Sequence, residues 1–185
     1  GGAGQPFPHK LSETGCASVA DPRQKVVGMI PYSVNMPLWS DGAAKNRWLA
    51  LPDNNYITVA ADGHWDLPLG SVLVKEFVVD NILAETRLLM LHDDGNWAGY
   101  SYKWNAAGTD ADLVLAGSTV DTGSRVWQIP SAAQCFQCHT DASGQSLGME
   151  TAQLNRDFNY PGAGVANQIT ALTGLDLLTT DPGSS

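Results

Sequence analysis

Charge is scarce in this chain. Only 16% of its 185 residues are Asp, Glu, Lys or Arg, and acids outnumber bases nineteen to ten, for a formal net charge of −9. A phosphate backbone calls for a basic surface, so this balance argues against nucleic-acid binding. Long apolar runs are missing too. Nothing approaches the roughly 18 residues that a membrane-spanning helix needs. The opening Gly1-Gly2-Ala3-Gly4 lacks the basic-then-apolar order of a signal peptide. Cysteine is limited to three, an odd number, whereas a disulfide scaffold shows an even count. There is no P-loop, no G-x-G-x-x-G, no Ser-His-Asp pattern and no internal repeat.

What is present favours a β-rich body. Apolar residues make up 43% of the chain, and nineteen Gly and ten Pro are spread along it, so turns are frequent. Many short strands fit that pattern better than a few long helices. Ser71–Val79 is Val-rich and nearly continuous in apolar character, and Ala84–His92 follows after a short break. Asp93-Asp94-Gly95-Asn96 is a turn signal, and Trp97–Asn105 then alternates aromatic with small or polar residues, as a half-buried strand does. Weaker strands are expected at Lys25–Tyr32, Trp48–Leu51, Tyr56–Val59, Leu113–Leu115 and Val126–Ile129. After Pro130 the character changes. Ser131 caps a helix of small residues, and residues 149–158 read as a second helix. The expected fold class is mainly β, an antiparallel sandwich or barrel-like body with a short helical C-terminal segment. Residues 1–8 read as a lead-in, 9–174 as one domain and 175–185 as the start of a linker, which suggests a monomeric module of a larger protein.

Two of the cysteines stand together in Cys135-Phe136-Gln137-Cys138-His139. In a C-x-x-C-H segment each thiol can form a thioether with one haem vinyl group, and the histidine binds the iron as proximal ligand. Positions i and i+3 share a helical face, so both sulfurs reach one porphyrin edge. Two other readings compete. A thiol–disulfide redox pair follows a strand in alternating βα units, which are lacking here. Zinc wants four ligands, and only Cys16 and three scattered histidines remain. Cys16 has no assignable role.

The residues after His139, Thr140 to Gly148, resemble the cytochrome c pattern of a polar Gly-containing loop followed by a small apolar-Gly turn. A wider resemblance runs through Ile30–Asn35, Pro37–Ala43, Val72–Lys75, Glu85–Leu89, Gly99–Asn105 and Gln153–Asp157. These stretches resemble exported bacterial monohaem c-type cytochrome modules with a β-rich body, some of which occur beside carbohydrate-binding modules in secreted polysaccharide-degrading systems. The resemblance implies one haem c attached within residues 131–160, a periplasmic or secreted location, and electron delivery to a redox partner such as an extracellular copper oxygenase.

An electron-transfer haem has a second axial ligand. The lone-pair donors are His9, His64, His92, Met29, Met36, Met90 and Met149. Alternation puts His92 on one strand face with Leu88 and Met90, and a histidine entering the core there would need a partner such as iron. His92 is therefore the leading distal candidate and Met149 the second, although Met149 follows His139 by only ten residues and reads as haem packing. Arg47, Lys75 and Arg87 are candidate propionate partners. The expected function is one-electron transfer to a partner with a basic patch. The alternatives are an enzyme or sensor with an open iron site for peroxide or gas, and a carbohydrate-binding β module.

Overall fold

Turn residues and Val-rich runs alternate through the middle of the chain, and antiparallel pairing is the outcome. The computed structural model describes residues 7–140 and 144–183. Residues 1–6 of the expected lead-in, 141–143 of the haem segment and 184–185 of the expected linker lie outside the described residues. In chain order the strands are β1 (Ile30–Tyr32), β2 (Ala44–Ala50), β3 (Thr58–Val59), β4 (Trp65–Asp66), β5 (Val72–Val79), β6 (Ile82–Leu91), β7 (Trp97–Trp104), β8 (Ala111–Leu113), β9 (Ser118–Asp121), β10 (Val126–Ile129), β11 (Asp157–Tyr160) and β12 (Gly164–Asn167). Among the described residues the short α-helices are α1 (Ala132–Cys135), α2 (Thr151–Leu154) and α3 (Gln168–Gly174).

Six strands form one antiparallel sheet in the order β1-β2-β5-β6-β7-β8, and the rest pair as β3–β4, β9–β10 and β11–β12. The body is mainly β, as expected, but the large sheet is open at β1 and β8 and does not close into a barrel. Its tightest connection joins β5 to β6. Asp80 and Asn81 there have φ of +51° and +65°, the left-handed pair that lets a two-residue turn match the strand twist. The next connection uses the expected turn. His92 N–H donates to the Asn96 carbonyl and Gly95 N–H to the His92 carbonyl, with Gly95 at φ +80°.

Register decides what each face of the sheet carries. Arg47, Lys75 and Arg87 are aligned across β2, β5 and β6, and the adjacent row is Trp48, Val74 and Leu88. The second row joins Leu11, Ala17, Tyr102 and Trp104 in a core beneath the N-terminal segment, where Phe7 stacks on Tyr100 at 3.6 Å. On the first row's face Leu49, Leu73 and Leu89 pack with Met149, Leu154, Ile169 and Leu172 from the C-terminal third. Each such side chain contributes about 1.5–3 kcal/mol by leaving water, which fastens that third onto the sheet.

Several expectations fail locally: of Leu113–Leu115 only Leu113 lies in a strand, and of Tyr56–Val59 only Thr58–Val59. Of residues 149–158, only Thr151–Leu154 is helical. The Asn155 side-chain oxygen accepts from Asn167 Nδ2 at 2.8 Å and Arg156 Nη1 donates to the Val34 carbonyl at 2.8 Å, so tertiary bonds turn the chain into β11. Of Lys25–Tyr32, only Ile30–Tyr32 pairs as a strand. The packed chain also runs past residue 174. Ile57 N–H donates to the Leu177 carbonyl and Thr179 N–H to the Ile57 carbonyl.

Candidate functional site

The C-x-x-C-H segment lies against the face of the sheet that carries the arginine and lysine row. Ser131 opens α1, and its N–H donates to Gln134 Oε1 at 2.8 Å. The helix can approach β7 because position 99 has no side chain: a Cβ on Gly99 would sit 2.8 Å from Cys135 Sγ. Cys138 and His139 follow on a tight turn, with His139 N–H donating to the Cys135 carbonyl at 3.1 Å. Cys135 is buried and Cys138 exposed, and no disulfide joins the three cysteines among the described residues.

His139 is buried, and its Nδ1 lies 2.5 Å from the Gln145 carbonyl oxygen. A carbonyl can only accept, so Nδ1 carries the hydrogen and the Nε2 lone pair is left for another partner. Burial pushes the His139 imidazolium down to about 4, against the lift from the Gln145 carbonyl, and Lys75 and Arg87 push in the same direction as burial. Burial likewise raises the Cys135 thiol.

Cys135, Cys138 and His139 line one side of a cavity of about 430 Å³, within the usual size range for a small-molecule or cofactor site. Lys45, Arg47, Lys75 and Arg87 also line it. That is four of the ten basic side chains of an acidic molecule, and among the described residues no carboxylate lines the same wall. Arg87 is held from behind. Glu85, fully buried, accepts from Arg87 Nε at 2.9 Å and from Trp127 Nε1 at 3.1 Å. Among the described residues neither Arg47 nor Lys75 has an ion pair. Lys75 is pushed down to about 7, first by burial and then by Arg47, Arg87 and Lys45. Such a wall can hold an anion.

No protein-family model matches this chain, and no curated protein or solved structure does. Among the described residues no three His, Cys, Asp or Glu side chains form a group that could hold a metal ion. A zinc site needs such a group. A thioether-bound haem does not, because the porphyrin supplies four of the iron's donors and the protein needs one imidazole, two thiols and cations for the propionates.

The structure brings together Cys135, Cys138, His139, Arg47, Lys75 and Arg87, and it separates both distal candidates from them. His92 continues the Leu88/Met90 face, which is sealed under the N-terminal segment, and its Nε2 lies 2.9 Å from the Tyr100 hydroxyl. The imidazole has a hydrogen-bond partner there, on the side of the sheet away from His139. Met149 is 1% exposed inside the apolar core and does not line the cavity, so it packs beneath the attachment segment. Gly99 is a site residue that sequence patterning did not single out. Only the strand register puts Lys45 and Arg47 on the same face as Lys75 and Arg87.

Proposed function

We propose that this chain is a c-type cytochrome module, a one-electron carrier with a single covalently attached haem. The observation that carries the reading is one cavity that collects the two thiols, an imidazole with its Nε2 lone pair free, and a wall of cations. When bound, the haem supplies reversible Fe(III)/Fe(II) exchange. Cys135 and Cys138 would each bond a vinyl carbon, and His139 Nε2 would take the iron. The Gln145 carbonyl holds the imidazole in that tautomer and strengthens it as a donor. Arg47, Lys75 and Arg87 would accept the propionates, and Lys75 would regain its full charge beside them. Phe77 and Leu147 supply apolar lining that would keep water from the ring.

The resemblance to exported monohaem modules supports a periplasmic or secreted site of action. Among the described residues no helix is long and apolar enough to cross a membrane. A net charge of −9 suits a partner that presents a basic patch, such as a secreted copper oxygenase, and the transfer rate should then fall as salt rises.

The test is the visible spectrum, in both redox states, of protein matured in a host that attaches haem c. A low-spin ferric spectrum unchanged by peroxide is expected. A colourless product, or zinc on elemental analysis, overturns the proposal. High-spin iron that rapidly binds cyanide or carbon monoxide would replace the carrier with an enzyme or sensor.

A further inference from the structure

The haem reading leaves the second axial position without a residue, and the cavity wall narrows the choice. Beyond the attachment residues, the side chains on that wall with a lone pair suited to iron are Met36, Lys45 and Lys75. Lys45 Nζ is bonded to the Leu38 carbonyl and lies 3.1 Å from Ser40 Oγ. Lys75 stands in the cation row between Arg47 and Arg87, the place that carboxylates would take.

Met36 has neither commitment. Its thioether carries no proton to lose and is a soft donor. The side chain is 79% exposed, yet its backbone is tied down at each step of the approach. Ser33 N–H donates to Gln168 Oε1 at 2.7 Å, and Gln168 is fully buried. Asn35 N–H donates to the Gln153 carbonyl at 2.9 Å, and Asn35 Nδ2 to the Ala152 carbonyl at 2.8 Å. Met36 N–H donates to Gln153 Oε1 at 2.9 Å. Pro37 then fixes the next φ. The anchor, residues 151–156, comes just after the C-x-x-C-H segment in the chain, so the methionine loop and the attachment segment share one frame. A loop held this firmly, with an apolar, unbranched side chain on a cofactor-sized cavity, is preorganised as a ligand loop.

Resting on the haem reading above, we propose that Met36 is the distal ligand of the iron, giving His139/Met36 coordination. The experiment uses haem-loaded protein. The ferric form should show the weak near-red charge-transfer band of a thioether-ligated low-spin haem, and the ferrous form a methionine methyl resonance shifted far upfield. Both signals should be lost in Met36→Ala, which becomes high-spin, and both should persist in Met149→Leu and His92→Ala. Met36→His should restore a low-spin spectrum without the thioether signals and with a lower potential. If Met36→Ala does not mature, the methyl resonance of the unaltered protein decides, because its absence overturns the assignment. Thioether signals that survive Met36→Ala, or a low-spin state lost in Lys75→Ala, also overturn it while leaving covalent attachment intact. A chain that takes up no haem would instead sink the function proposed above.

Discussion

The two faces of β2, β5 and β6 differ by one residue of register and by everything in chemistry. One presents Trp48, Val74 and Leu88 to a sealed apolar core; the other presents Arg47, Lys75 and Arg87 to a cavity. Because side chains alternate at every residue, a strand can build a core and a binding wall at once. The sealed face has partners for its side chains, including His92, whereas on the cavity face Arg47 and Lys75 have no ion pair among the described residues.

The largest effect is expected at Glu85, the buried carboxylate paired with Arg87. Removing it in Glu85→Ala leaves Arg87 without a counter-charge, at a cost of about 3–5 kcal/mol, measured by denaturant unfolding. A control on the sealed face, Leu88→Ala, should cost about 2–5 kcal/mol through the cavity it creates. Lys75→Met, although it replaces a side chain of the same sheet, should be neutral or stabilising in protein that lacks haem, because it removes a poorly solvated charge.

The same lysine gives a pH signature. Its value in the folded chain, about 7, lies below its ordinary 10.5. Between the two, the unfolded chain binds a proton that the folded chain does not. Stability without haem therefore rises with pH across that window and is lowest below it. Lys75→Met should flatten this slope, as should haem loading, since propionates would return the lysine to its charged form. A small loss is expected for His92→Ala, about 0.5–1.5 kcal/mol from the lost bond to Tyr100, with no change in the haem spectrum.

Sequence patterning reached the local features. The Val-rich run of β5, the Asp93–Asn96 turn and the aromatic alternation of β7 follow from propensity and period. The C-x-x-C-H segment is legible because its geometry lies within one turn. What patterning could not reach was set by long-range pairing. Parity placed Leu88, Met90 and His92 on one face, but only the packing of the N-terminal segment shows that this face is turned away from His139. In the same way, Asn155 and Arg156 are helix-compatible in isolation, and bonds to Asn167 and Val34 divert them. Met36 was one of seven nominal donors in the sequence, and it stands out only once Gln153 and Gln168 are seen to fasten its loop to the cavity wall.

The central claim, that Cys135 and Cys138 carry a porphyrin, is tested most directly by intact mass. Protein matured in a host competent for haem c attachment should gain the mass of one haem, and the double variant Cys135→Ser, Cys138→Ser should gain none. An unmodified mass for the parent chain, or the same increment in the double variant, would contradict the account.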